Sequence, residues 1–151
     1  MNIIDRIGNR NPEILLLINS ILLLDQKKYL GIYLFFFIIE RYLNEFSKKI
    51  IKEPRPIEYA NKKYDDGNVY LYPHTYGMPS GHSSLVFYST TFLWLVKKST
   101  PLLIFELFMC AITLYQRYKY KKHTIQQLFG GAILGSIIAF IGFHTGKKIF
   151  V

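Results

Sequence analysis

The stretch Tyr76-Gly77-Met78-Pro79-Ser80-Gly81-His82-Ser83-Ser84 is a polar turn that runs straight into an apolar segment, and its residue types suit an anion. Pro79 fixes one backbone angle, Gly81 lets a ligand approach the main chain, and Ser80 or Ser83 can cap the helix that follows. The unpaired N–H groups of a helix start, with the positive end of the helix dipole, form an anion site. His82 stands in that site and is of a type that titrates near neutral pH. A phosphate held by backbone donors, with a proton donor beside it, is the chemistry implied.

Two other stretches share this logic. Upstream, Lys48 and Arg55 are separated by six residues, with Pro54 and Pro56 flanking the arginine. Downstream, Arg117 and His123 are separated by five, and Gln127 follows one helical turn after His123. Taken alone, a histidine at a helix start is more often a cap or a surface group, and His74 and His144 read that way. His82 and His123 differ in the company they keep.

In this order, the three stretches resemble the type 2 phosphatidic acid phosphatase superfamily, whose motifs are Lys-x6-Arg-Pro, Pro-Ser-Gly-His and Ser-Arg-x5-His-x3-Asp. Lys48, Arg55, Pro56, Pro79, Ser80, Gly81, His82, Arg117 and His123 match, over residues 48–127. Gln116 stands where the family has Ser, and Gln127 where it has Asp. Glu-Pro-Arg-Pro, Tyr-Gly-Met-Pro-Ser and His-Thr-x-x-Gln look most like the dolichyl-diphosphatase branch, in which Gln replaces that Asp.

The resemblance implies His123 as a nucleophile that forms a phosphohistidine and His82 as the acid that protonates the leaving oxygen. It implies Lys48, Arg55 and Arg117, with Ser80 and Gly81, as the phosphate-binding set. Gln127 is expected to accept the Nδ1 proton of His123, so a glutamate there should also serve. The cations are side chains, so no metal or other cofactor is expected. The substrate expected is a lipid phosphate or a polyprenyl diphosphate. Two other readings stand beside this one: a degenerate membrane protein that binds lipid phosphate without turnover, and a soluble acid phosphatase or vanadium-haloperoxidase relative.

The elements that must position these residues are apolar segments. Half of the 151 residues are hydrophobic, 17% are aromatic, and the net charge is +9. A chain of this length makes one domain, 1–151. Its basic residues cluster at the ends of apolar segments rather than along one solvated face, which argues against nucleic acid and for phosphate chemistry and anionic lipid. Cys110 is the only cysteine, so no internal disulfide exists, and it reads as a small packed residue.

The fold expected is all-α, a polytopic membrane bundle of about five helices with the active site at one membrane face. Residues 1–11 read as a short amphipathic start without the order of a secretory leader, so insertion is expected to use the internal helices. Pro12 is expected to open a short apolar run from Ile14 to Leu24. Further helices are expected from Tyr29 to Ile51, Ser80 to Val96, Pro101 to Arg117 and Thr124 to Thr145, one fewer than the family's usual six. Arg41 and Glu45 have i,i+4 spacing and read as a structural bridge, and Glu106 reads as structural.

Asp65-Asp66-Gly67 reads as a solvated turn, with Lys62, Lys63, Tyr72 and His74 as candidates for a substrate entrance. Gly131, Gly135, Ala139 and Gly142 make a smooth face for close helix packing. If the helices span alternately, all three motifs land on one face, and the Lys27-Lys28, Lys97-Lys98 and Lys147-Lys148 pairs mark the other. The lysines and arginines are split too evenly between the two ends to set an orientation. The dolichyl-diphosphatase resemblance implies a multi-pass protein of the endoplasmic reticulum membrane, in a eukaryotic or viral setting, with the site facing the lumen, although the charge leans to the cytosol.

Overall fold

The structure, a computed structural model, describes residues 3–56 and 76–150. The expected Asp65-Asp66-Gly67 turn and the entrance candidates Lys62, Lys63, Tyr72 and His74 lie outside the described residues. The described residues form an all-α bundle: α1 (Ile3–Leu22), a 3-10 turn (Leu24–Gln26), α2 (Lys27–Ile51), α3 (Gly81–Lys97), α4 (Thr100–Lys119) and α5 (Ile125–Phe150).

The helix ends follow from local chemistry. Ser80 caps α3, its Oγ accepting from the N–H of Ser83 at 3.5 Å. Pro101 sits in the first turn of α4, where a missing N–H costs nothing. Lys52 and Lys98 close α2 and α3 in the left-handed conformation, φ 53° and 50°, each returning its N–H to the carbonyl four residues back.

Two boundaries differ from expectation, the end of α5, which runs past Thr145 to Phe150, and the start of α1. Pro12 lies inside α1 rather than at the start of a helix. It removes one backbone donor, but α1 is held against α4 along its length, which offsets the loss. Asn11 Nδ2 reaches Met109 O and Thr113 Oγ1, each at 2.6 Å, and Asp5 meets Lys119 at 3.1 Å and Tyr120 at 2.8 Å.

The small-residue face of α5 packs as its spacing predicts. A Cβ on Gly135 would lie 1.9 Å from Ser84 O, one on Gly131 would lie 2.4 Å from Ser80 O, and one on Gly142 would meet Phe36. Gly131 and Gly135 bring α5 into backbone contact with the start of α3 and set Gln127 beside Ser80. Away from that end, Tyr33 and Tyr88 stack at 5.5 Å against Phe92, Leu93 and Ile138, a pairing worth about 1 kcal/mol beyond area burial.

Beside this apolar core, the described residues bury several polar side chains and turn many large apolar ones outwards. Asn11, Asn19, Glu40, Asn44, Glu106 and Thr113 are buried, while Phe35, Ile38, Phe46, Phe108, Phe129 and Ile133 point outwards. Glu106 accepts from Thr90 Oγ1 at 3.0 Å, in keeping with a structural role, and Cys110 is packed inside. Among the described residues, α5 is long and apolar enough, over Ile125–Ile149, to cross a membrane.

Candidate active site

Backbone pairing draws the three motif segments together at one end of the bundle. Gly77 N donates to Glu53 O at 2.8 Å, and Pro54 and Tyr76 form an isolated antiparallel bridge, which ties the first motif to the second. Ser80 N donates to Gln127 O at 3.0 Å and Ser83 Oγ donates to Leu128 O at 2.6 Å, which ties the second to the third.

The result is a cavity of about 550 Å³ whose wall includes Lys48, Arg55, Gly81, His82, Arg117 and His123. Ser80 and Gln127 are fully buried and are not part of the wall. Ser80 caps α3, and Gln127 is bonded to the side chains of His123 and Glu53. Among the described residues, no three His, Cys, Asp or Glu side chains converge as metal ligands.

The cations are anchored individually. Lys48, in the last turn of α2, meets Glu45 at 2.5 Å, so Glu45 pairs there rather than making the bridge to Arg41 that the spacing suggested. Both pairings are sterically open on a helix; the burial of Lys48 decides, because a buried ammonium needs its partner more than the exposed Arg41 does. Arg55 Nη1 donates to Lys122 O at 3.3 Å. Arg117 reaches across to α1, where Nη2 lies 3.1 Å from Asn9 Oδ1. Lys122, which occupies no motif position, also lines the cavity.

His123 is 4% exposed, and its Nδ1 lies 3.0 Å from the main-chain oxygen of Gly77 and 3.3 Å from Gln127 Oε1. A carbonyl can only accept, so Nδ1 carries the proton and Nε2 is left with its lone pair. Burial, followed by the guanidinium groups of Arg55 and Arg117, lowers the pKa of this imidazole to about 3. At neutral pH the ring is therefore neutral. His82 Nε2 faces Asn9 O at 3.1 Å, so by the same reasoning that nitrogen is the donor.

Gln127 is a junction. Its Oε1 accepts from Thr124 N while Thr124 Oγ1 accepts from Gln127 N, each at 3.2 Å, a reciprocal cap at the start of α5. Its Nε2 donates to Glu53 Oε1 at 2.8 Å and to Pro54 O at 2.9 Å. The Thr124-x-x-Gln127 pattern is a capping signature legible in the sequence, whereas the link to Glu53 is not. A Cβ on Gly77 would lie 2.3 Å from Gln127 Oε1, so a side chain there would have to displace the Gln127 amide from its hydrogen bonds.

The PAP2 superfamily pattern matches residues 29–150. The chain is 31% identical over 118 residues to dolichyldiphosphatase 1 of Dictyostelium discoideum, an alignment covering 71% of this chain and 48% of that protein. It is 26% identical over 112 residues to lipid phosphate phosphatase gamma of Arabidopsis thaliana, covering 67% and 46% respectively. The chain spans about half the length of these relatives. No solved structure matches it.

Proposed function

The chain belongs to the PAP2 superfamily, and from that premise we propose that it is a multi-pass membrane phosphatase acting on a lipid phosphate, most specifically a polyprenyl diphosphate. The observation that carries this reading is the Nδ1–H of His123 directed to Gly77 O, which leaves a neutral imidazole with a bare Nε2 in the wall of a cationic cavity.

In this mechanism Nε2 attacks phosphorus, the P–N bond forms, and the bond to the leaving oxygen breaks as His82 gives that oxygen a proton. Water then attacks the phosphohistidine, His82 takes its proton, and phosphate is released. Acid–base help of this kind is worth ~10²–10⁴ in rate. Lys48, Arg55 and Arg117 neutralise the charge of the phosphoryl oxygens, so the chemistry is supplied by side chains and needs no divalent ion.

The membrane reading rests on apolar side chains turned outwards around buried polar ones on several helices, together with the apolar length of α5. The similarity to a protein named dolichyldiphosphatase supports an isoprenoid diphosphate as the substrate.

The test is phosphate release, in detergent and excess chelator, from polyprenyl mono- and diphosphates, phosphatidate and sphingoid phosphate. Release from the polyprenyl diphosphate is expected to be fastest. No release from any of them contradicts the assignment; so does activity that vanishes in chelator and returns with magnesium. Recovery in the soluble fraction without detergent contradicts the membrane placement.

A further inference from the structure

Helix α1 lies outside the stretch matched to the family and outside all three motifs, yet it contributes a residue to the site. Asn9 Oδ1 accepts from Arg117 Nη2 at 3.1 Å and from Lys122 Nζ at 3.4 Å. The main-chain oxygen of Asn9 accepts from His82 Nε2 at 3.1 Å and from Arg117 Nη2 at 3.3 Å. One residue thus touches a phosphate-side cation, a second cation of the cavity wall and the histidine placed to act as acid.

The register that puts Asn9 there is fixed on both sides. Asp5 meets Lys119 and Tyr120 one turn before it, and Asn11 meets Met109 and Thr113 just after it. Between them, Gly8 faces Gln116, and a Cβ on Gly8 would sit 2.7 Å from Gln116 Cβ and 2.9 Å from Ile112 O. Gln116 is the position at which this chain departs from the motif's serine. The larger side chain is admitted because α1 presents a glycine to it, and the next residue of each helix, Asn9 and Arg117, then meets across the gap.

We propose that Asn9 is a positioning residue of the reaction: its side-chain oxygen holds Arg117 and Lys122 at the cavity wall, while its main-chain oxygen holds the Nε2–H of His82. The proton that goes to the leaving oxygen therefore comes from Nδ1 of a doubly protonated His82, and the ring returns to its Nε2–H form. Burial, and then the charges of Arg117, Lys122 and Arg55, disfavour a second proton on that ring; the Asn9 carbonyl counters them in part, and the anionic phosphate of a bound substrate supplies the rest. This inference rests on the phosphatase reading for the proton step, but the hold on Arg117 is testable without turnover.

The experiment compares Asn9→Ala with Asn11→Ala in the full chain, reading inorganic phosphate affinity by calorimetry and the thermal unfolding midpoint in the same detergent. Alanine keeps α1 helical, so the Asn9 variant should fold. Asn9→Ala is expected to weaken phosphate binding about tenfold, the effect of losing a charged hydrogen bond that orients a ligand cation. Asn11→Ala should lower the midpoint and leave phosphate affinity unchanged.

Wild-type affinity in Asn9→Ala overturns the proposal, as does an equal loss in both variants, which would mean that α1 docking alone matters. Nitrogen-15 shifts of the His82 ring should report a proton on Nε2 whether or not phosphate is bound, and a ring protonated on Nδ1 alone overturns the carbonyl half. A parent protein that binds phosphate but hydrolyses no lipid phosphate would fail the function proposed above while leaving both readouts for Asn9 intact.

Discussion

The nitrogen of His123 that would carry a proton in a nucleophilic imidazole points not first at Gln127 but at the main-chain oxygen of Gly77, 3.0 Å away against 3.3 Å. Gln127 is left free for other work. Its amide N–H groups bind Glu53 and Pro54, which a carboxylate in the same place cannot do.

The Gln127→Glu change, harmless if Gln127 were only an acceptor for His123, should therefore be damaging. It sets two carboxylates where Nε2 and Glu53 Oε1 now stand 2.8 Å apart. The thermal midpoint is expected to fall by an amount equivalent to about 1–3 kcal/mol, with turnover reduced. Adding Glu53→Gln should recover much of the loss, since the amide can then donate in the opposite direction. A double-mutant cycle reads this directly, and a Gln127→Glu protein as stable and active as its parent would show the Glu53 bond to be unimportant.

Gly77→Ala should be costly for a different reason. The added methyl carbon would lie 2.3 Å from Gln127 Oε1, so either the Gly77 carbonyl or the Gln127 side chain must move. Overpacking at such a crossing costs about 1–3 kcal/mol, and the His123 acceptor moves with it. Turnover and midpoint measured together should both fall. A change in neither would mean that the loop shifts freely.

Arg117→Lys keeps a charge and loses the planar guanidinium that spans from Asn9 to the cavity. The ratio kcat/KM is expected to fall about tenfold or more. A lysine variant with the parent's rate would mean that net charge alone is needed.

The depressed pKa of His123 has a consequence for stability without substrate. Between the ordinary histidine value near 6.5 and about 3, the unfolded chain binds a proton at His123 that the folded chain does not. The folded state therefore loses stability as pH falls from 6.5, by up to about 1.4 kcal/mol per pH unit from this one residue. His123→Gln should flatten the thermal midpoint between pH 6.5 and 4 relative to the parent. Parallel curves for the two proteins would contradict a buried neutral imidazole.

What could be read from the sequence was the chemistry carried by residue type at short spacing. Lys48, Arg55, His82, Arg117 and His123 suggested one site by type and spacing, and the structure brings all five to the wall of one cavity. The glycine face of α5 was legible for the same reason, since the helix period alone puts Gly131, Gly135 and Ala139 on one side. Asn9 was not, because its partner Arg117 lies 108 residues away and nothing local marks an asparagine in an amphipathic start. Gly77 was hidden because its contribution is a main-chain oxygen. Pro12 misled, since a proline usually opens a helix, and only the docking of α1 on α4 carries the helix through it.

The central claim is that His123 becomes phosphorylated during turnover, and a quenched phosphoenzyme tests it most directly. The parent protein is mixed with a phosphorus-32-labelled polyprenyl diphosphate in chelator, stopped in alkali within milliseconds, digested and mapped. The account predicts an acid-labile, alkali-stable label on the peptide that contains His123, and none in His123→Ala. Label that persists in His123→Ala, or that maps to another residue, would contradict it.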